Sequence, residues 1–184
     1  MAKGLIDADA TLNRHVTEIR QPSFISSTDR LVRTVDAARD HVIGPGNAPI
    51  TLVEYGSYAC QHCRAANERI TEVRGQLGDR LKYVFRHQPL VGNEMAWRAA
   101  EIAESAASDE LFWDAHVTLM SRSETLTEDD LRAVAERLDL TRVNANVAQM
   151  TAERARRRVQ ADVEDARASG VRFTPTFFIN GRSL

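Results

Sequence analysis

Residues 52–63, Leu-Val-Glu-Tyr-Gly-Ser-Tyr-Ala-Cys-Gln-His-Cys, carry the two cysteines of the chain, Cys60 and Cys63, at the end of a strand-like run. The residues from Thr51 to Tyr55 are largely β-branched, apolar or aromatic, as in a buried strand, and good helix formers follow from Arg64 onward. The pattern therefore predicts a strand, a turn, and a helix whose first turn holds both cysteines.

This predicted position favours the thiolate form of Cys60. The unpaired N–H groups and the positive end of the dipole at a helix N-terminus stabilise an anion, and the thiolate is the reactive form of cysteine. Two cysteines separated by two residues can close a disulfide with little backbone movement, and Cys63 can resolve a mixed disulfide formed by Cys60. The spacing indicates dithiol-disulfide exchange.

Two other interpretations of the cysteines are open at this point. The pair could be buried and inert, or it could bind zinc together with His62, His87 or His116. A structural zinc site needs four closed ligands, usually with a second paired knuckle, and the sequence offers none. We therefore predict no metal site and no cofactor.

Further segments resemble a known family in the same order along the chain. They are Gly44-Pro45 and Ala48-Pro49, Tyr83-Val-Phe-Arg-His-Gln-Pro-Leu90, and Gly170-Val-Arg-Phe-Thr-Pro-Thr-Phe-Phe-Ile-Asn-Gly181. With the Cys-Gln-His-Cys motif, which is similar to the Cys-Pro-His-Cys of DsbA, they resemble the DsbA-like thioredoxin-fold proteins over about residues 36–184. The resemblance implies an α/β thioredoxin fold with a helical insertion, and the activity of a protein disulfide oxidoreductase.

The resemblance also implies roles for single residues. Cys60 becomes the nucleophile, Cys63 the resolving thiol, and His62 the residue that tunes the Cys60 thiolate. Glu54 matches an acidic position that lies buried near the resolving cysteine in the family, which makes it a proton relay for Cys63. The alternative for Glu54 is a solvated glutamate at the end of a strand.

The substrate side is implied in the same way. The Thr174–Pro175 bond is expected to be cis and to face the cysteines, leaving the backbone groups of Thr174 to hold an extended substrate strand. We assign Gln61 to the same surface; it stands where DsbA has proline, and this departure affects the expected redox potential. The expected partners are protein or peptide thiols and disulfides, with a redox partner that the sequence does not identify.

The domain organisation follows from the order of these segments. We expect a flexible N-terminal arm over residues 1–30, a first half of the thioredoxin fold over 31–92, a helical insertion over 93–150, and a second half over 151–184 that stops short of the complete fold. The residues 31–35 are predicted as a first strand, Thr127 and Thr141 as helix N-caps, and about Thr151 as the start of the last long helix. Its predicted apolar stripe consists of Ala152, Ala155, Val159, Val163 and Ala166.

Two local signals near the end of the chain predict where its elements stop and turn. Gly170 is expected to terminate the last helix, and Asn180-Gly181 predicts a two-residue hairpin turn. A sheet that stops there leaves an open edge, for which we expect a homodimer or ordering by the N-terminal arm.

Composition excludes several classes of function. The 184 residues are 43% apolar, with a net charge of −2 and a pI near 6.2, so nothing indicates nucleic-acid binding. The cluster Arg154, Arg156, Arg157 and Arg158 is interpreted as a solvated helix face. The apolar runs are far shorter than the roughly 20 residues that cross a bilayer, and no signal peptide can be drawn near Met1. We expect a cytoplasmic protein, or a periplasmic one if an export signal has been removed.

Two rival classes of protein remain. One is a peptide-binding or chaperone module with incidental cysteines. The other is a regulatory domain associated with an antiporter, because Arg39-Asp-His41 and residues 83–90 resemble soluble domains fused to sodium/proton antiporters.

Overall fold

The computed structural model of the chain describes residues 30–184, so the predicted arm lies outside the described residues except for Arg30. A five-stranded mixed sheet has the order β1-β3-β2-β4-β5. The strands are β1 His41–Ile43, β2 Ile50–Gly56, β3 Leu81–His87, β4 Thr176–Ile179 and β5 Arg182–Ser183. The predicted α/β thioredoxin-like class is confirmed.

The unit around the cysteines forms as predicted. Helix α1, Gln61–Leu77, connects β2 to β3, which pair in parallel from Ile50 opposite Leu81 to Gly56 opposite His87. All but one of the residues of strand β3 are buried. The reason is that elements cover both faces of this central strand.

Four helices follow β3. They are α2 Glu94–Glu104, α3 Asp109–Ser121, α4 Glu128–Arg137 and α5 Ala145–Ala168. Thr127 caps α4 and forms a reciprocal capping box with Asp130, which confirms the prediction for Thr127. The prediction for Thr141 is wrong, since Asn144 caps α5 by accepting the N–H of Val147 at 3.0 Å. The long helix therefore begins earlier than Thr151.

Helix α5 ends at the predicted glycine. Gly170 has φ of 78°, and its N–H donates to the carbonyl of Arg167, while the N–H of Val171 donates to that of Ala166. These two bonds define a Schellman ending, which needs the left-handed conformation that glycine adopts without strain. Asn180 and Gly181, with φ of 48° and 79°, form the predicted turn between β4 and β5.

Residues 31–35 do not form the predicted strand. Side chains bind the backbone of two of these residues instead: the N–H of Val32 donates to Ser169 Oγ at 2.9 Å, and that of Arg33 to Asp165 Oδ1 at 3.1 Å. Within residues 30–184 the first strand is β1, which pairs antiparallel with β3.

The sheet has an apolar cluster on each face. The larger one joins α1 and the helices α2 to α4 to the face of Leu52, Tyr83 and Phe85. The smaller one joins the end of α5 to the face of Val53 and Val84. No helix among residues 30–184 has the length and apolar character needed to cross a membrane.

Candidate active site

Cys60 is the N-cap residue of α1. Its backbone is extended, with φ of −135° and ψ of 109°, and its Sγ accepts the N–H of Cys63 at 3.3 Å. The sulfur of Cys60 thus takes the place of the side-chain oxygen that usually caps a helix N-terminus. Both cysteines are free thiols.

The loop of Thr174 and Pro175 meets Cys60 directly. The Cys60 thiol donates to the carbonyl oxygen of Thr174 at 3.5 Å, and the Thr174–Pro175 peptide bond is cis. The Thr174 carbonyl therefore accepts a hydrogen bond from Cys60 in the reduced protein. We had expected the backbone groups of Thr174 to be free to bind a substrate strand. Gln61 and His62 are exposed on the first turn of α1.

Cys63 lies deeper than Cys60. It is 0% exposed, against 7% for Cys60, and its Sγ accepts the N–H of Ser57 at 3.5 Å. Burial raises the pKa of the Cys63 thiol strongly, and the neighbouring Cys60 and the negative charge of Glu54 raise it further. The two thiols thus have different environments although they are three residues apart.

Glu54 is wholly buried on β2, so the solvated alternative is wrong. Tyr83 donates its hydroxyl to Glu54 Oε2 at 2.7 Å, and Oε1 has no hydrogen-bond partner among the described residues. Burial raises the pKa of Glu54 to about 7, although the bond from Tyr83 lowers it. Gly56 makes room for this carboxyl group, since a Cβ there would come within 2.9 Å of Oε1.

The raised pKa of Glu54 predicts a falling stability between about pH 4.5 and 7. In that range the folded protein holds a proton that the unfolded chain has released, so stability declines as pH rises. The shift from 4.5 to about 7 corresponds to about 3 kcal/mol at ~1.4 kcal/mol per unit. We expect the free energy of unfolding, measured with urea, to fall over this pH range by that amount less in Glu54→Gln than in the wild type. An identical pH dependence in the two proteins would contradict the assignment.

The different environments of the thiols predict different rates of alkylation. In the reduced protein, iodoacetamide at pH 7.5 is expected to label Cys60 at least about tenfold faster than Cys63, because only thiolates react and Cys63 is fully buried with a raised pKa. Peptide mass mapping after a limiting exposure measures the ratio. Equal labelling of both cysteines would overturn their predicted roles.

A buried charge cluster beside this unit was not predicted. Arg86 on β3 is fully buried and binds Asp40 with two hydrogen bonds, at 3.0 and 2.9 Å, and Asp165 with one at 2.8 Å. Asp162 and Asp165 lie inside the buried face of α5, whereas Ala152 of the predicted stripe is exposed. Two aspartates within an apolar helix face, and an arginine within a strand, are the signals that could have indicated this cluster.

The neighbouring arginine cluster is also only partly as predicted. Arg158 is half-buried and lies 3.7 Å from Glu104, whereas Arg154, Arg156 and Arg157 are exposed. The solvated-face interpretation therefore holds for those three and is wrong for Arg158.

Two of the three histidines of the zinc alternative, His87 and His116, have other partners. His87 is buried, with Nε2 3.1 Å from Glu104 Oε1. His116 on α3 is buried too, with Nδ1 3.1 Å from the hydroxyl of Tyr58 and Nε2 3.4 Å from Asn67 Oδ1. Within residues 30–184, no group of three or more His, Cys, Asp or Glu side chains could hold a metal ion.

A mixed sheet, inserted helices and a Cys-x-x-Cys pair at the start of a helix define the class of thioredoxin-fold proteins. The family model described as thioredoxin matches residues 36–184. The chain belongs to the thioredoxin family.

Relatives of high identity are antiporters. The chain is 53% identical over 154 residues to the Na(+)/H(+) antiporter NhaA of Nitrosospira multiformis, which covers 84% of this chain and 25% of that protein. It is 41% identical over 155 residues to NhaA 1 of Salinispora arenicola, covering 83% of this chain and 23% of that protein. The chain thus spans about a quarter of the length of the curated relatives that it matches.

Solved structures of DsbA-like proteins share the fold. BdbD of Bacillus subtilis in its oxidised form superposes with a TM-score of 0.66 at 22% identity, covering 85% of this chain and 89% of that one. The α-DsbA1 of Wolbachia pipientis gives a TM-score of 0.65 at 20% identity, covering 83% and 79%. The DsbA-like form of the thioredoxin fold is therefore confirmed for this chain.

Proposed function

We propose that this chain is a thiol-disulfide oxidoreductase that exchanges disulfides with protein or peptide thiols through Cys60 and Cys63. The observation that carries the proposal is the position of Cys60, which caps α1, accepts the N–H of Cys63 and contacts the Thr174 carbonyl. Membership of the thioredoxin family and the DsbA-like fold support it.

The reaction proceeds by two exchanges at sulfur. In the oxidised protein, a substrate thiolate attacks Cys60 Sγ, forms a mixed disulfide and releases Cys63 as a thiolate, which takes up a proton. A second substrate thiolate then attacks the substrate sulfur of the mixed disulfide and releases Cys60 as a thiolate. The substrate dithiol loses two electrons and two protons, and the protein pair gains the electrons. The reverse sequence reduces a substrate disulfide.

Other residues serve these steps in the proposal. Glu54, with its pKa raised to about 7, supplies the proton to Cys63 when it leaves and removes it when it attacks. Thr174 and Pro175 form the wall against which an extended substrate segment lies, so that the carbonyl now engaged by Cys60 becomes available when the thiol reacts. Gln61 is exposed on the first turn of α1, and we assign it to the same substrate-binding surface.

A catalysed exchange assay tests the proposal. We expect micromolar amounts of the chain to accelerate the reduction of insulin by dithiothreitol, with Cys60→Ser as the matched control for a specific effect. A rate equal to that of dithiothreitol alone, in a protein that is folded by circular dichroism, would favour the peptide-binding alternative.

His62 is proposed to tune the pair towards oxidation. Its imidazole, exposed between the cysteines, can donate to the Cys60 thiolate and so stabilise the reduced form. Loss of one such interaction, about 0.5–1.5 kcal/mol, lowers the potential by roughly 10–30 mV in His62→Ala. Equilibration with glutathione measures this shift, and Arg69→Ala, exposed on the same helix, is the control. An unchanged potential in His62→Ala would rule out the tuning role.

A second candidate function rests on the antiporter relatives. Because the chain is 53% identical to a segment that makes up a quarter of one such protein, we infer that it serves as a redox-active domain attached to, or acting on, a sodium/proton antiporter. In this candidate, the state of the Cys60–Cys63 pair changes the transport rate.

Transport measurements distinguish the two candidates. Vesicles that contain the antiporter joined to this domain are assayed for sodium-driven proton movement with the pair reduced or oxidised. A redox-dependent rate that is lost in Cys60→Ser supports the second candidate, and a rate independent of redox state contradicts it.

A further inference from the structure

Helix α3 contacts the active-site turn through two hydrogen bonds of one buried side chain, His116. His116 of α3 lies between Tyr58, two residues before Cys60, and Asn67, one helical turn after Cys63. The side chain of His116 is 2% exposed and its ring packs on that of Phe85 with centroids 4.5 Å apart. One side chain therefore contacts the chain on both sides of the two cysteines.

The partners determine the tautomer of His116. Asn67 presents Oδ1, which only accepts, so with this orientation of the amide Nε2 carries the proton. Burial lowers the pKa of His116 to about 3, and the charges of His87, His41 and Arg74 lower it as well, so the ring is neutral. Nδ1 is then an acceptor, and the Tyr58 hydroxyl donates to it. Each polar atom of the ring has a complementary partner.

A second contact from the same region reaches Cys60 itself. Ser123, two residues past the end of α3, is 5% exposed, and its hydroxyl lies 3.4 Å from the carbonyl oxygen of Cys60 and 3.0 Å from that of Met120. The carbonyl of Cys60 also accepts the N–H of Arg64 at 3.2 Å and that of Cys63 at 3.0 Å, so the Cys63 N–H is shared between the carbonyl and the sulfur of Cys60. The region of α3 thus contacts residues before, at and after the N-cap position.

We propose that His116 is a positioning residue, which through Tyr58 and Asn67 holds the Cys60 turn in the geometry that lets the Cys63 N–H stabilise the Cys60 sulfur. This inference rests on the proposed function and adds a role for the inserted helix α3. Without the two hydrogen bonds the turn samples other conformations, and the stabilisation of the reduced pair declines. The equilibrium with glutathione then moves towards the protein disulfide.

Variants of Tyr58 and His116 test the inference. Tyr58→Phe keeps the ring and removes one hydroxyl, and His116→Phe removes both hydrogen bonds. His116→Asn offers an acceptor at the position of Nδ1 and is expected to restore part of the effect. Val134→Ala, at a buried position of α4, is the control for a general loss of stability. Two quantities are measured: amide hydrogen exchange of residues 57–63 in the reduced protein, and the equilibrium constant with glutathione.

We expect both quantities to change about two- to tenfold in Tyr58→Phe, the range that a net hydrogen-bond contribution of about 0.5–1.5 kcal/mol allows, and more in His116→Phe. Val134→Ala is expected to change neither by as much. If residues 57–63 of Tyr58→Phe and His116→Phe exchange their amide hydrogens at the wild-type rate, the inference is overturned. If the wild type forms no disulfide with glutathione, the proposed function fails, and amide exchange alone decides the positioning role.

Discussion

Replacing Cys63 with serine is expected to stop the exchange reaction at the mixed disulfide, whereas replacing Cys60 is expected to abolish it. Without Cys63, the disulfide between Cys60 and a substrate has no internal thiol to resolve it, so the adduct accumulates. Without Cys60, the remaining thiol is fully buried and has a raised pKa, so the rate falls to that of the uncatalysed reaction.

The adduct is measured directly by mass. Reduced Cys63→Ser is mixed with a peptide disulfide, quenched in acid and examined by intact mass spectrometry for one added peptide, which dithiothreitol must remove. Cys60→Ser is the matched control. If adducts form equally on both variants, or only on Cys60→Ser, then Cys60 is not the nucleophile.

Arg86→Met is expected to destabilise the fold by about 3–5 kcal/mol, the usual cost of removing one partner from a buried ion pair. Arg86 is 0% exposed, and its removal leaves the buried carboxylates of Asp40 and Asp165 without their main partner. It also removes the donors that hold the carbonyls of Arg33 and Thr34, at 3.0 and 3.2 Å, against the sheet.

An exposed ion pair provides the control for this prediction. Arg69 on α1 lies 2.9 Å from Glu72, but its side chain is 79% exposed, and such pairs contribute about 0–1 kcal/mol. Urea unfolding should therefore separate Arg86→Met from Arg69→Met by at least about 2 kcal/mol. Similar midpoints for the two variants would show that the buried cluster is not a main determinant of stability.

The sequence predicted the parts of the fold that local signals control. Thr127 with Asp130, and Gly170 at the end of α5, follow rules that operate within one turn of chain. The strand, turn and helix around Cys60 were equally local, and the family resemblance supplied the order of the elements. The buried position of Glu54 came from that resemblance and not from the pattern of residues.

The features that escaped prediction join residues far apart in the chain. Nothing near Arg86 in the sequence shows that Asp40 and Asp165 will meet it, and nothing near Tyr58 points to His116. Residues 31–35 have the composition of a strand, but side chains from the end of α5 bind their backbone instead. Tertiary contacts decide such cases, and strand propensity is weak enough to be overridden.

The redox equilibrium of the Cys60–Cys63 pair with glutathione tests the central claim most directly. The reduced and oxidised forms are separated after acid quenching across a range of glutathione ratios. We expect a reversible two-electron transition with a potential between the about −270 mV of thioredoxin and the about −120 mV of DsbA, since we propose that His62 favours the reduced form and since Gln61 stands where DsbA has the rigid proline. A pair that forms no disulfide, or one whose potential lies below about −300 mV as in inert structural disulfides, would contradict the account.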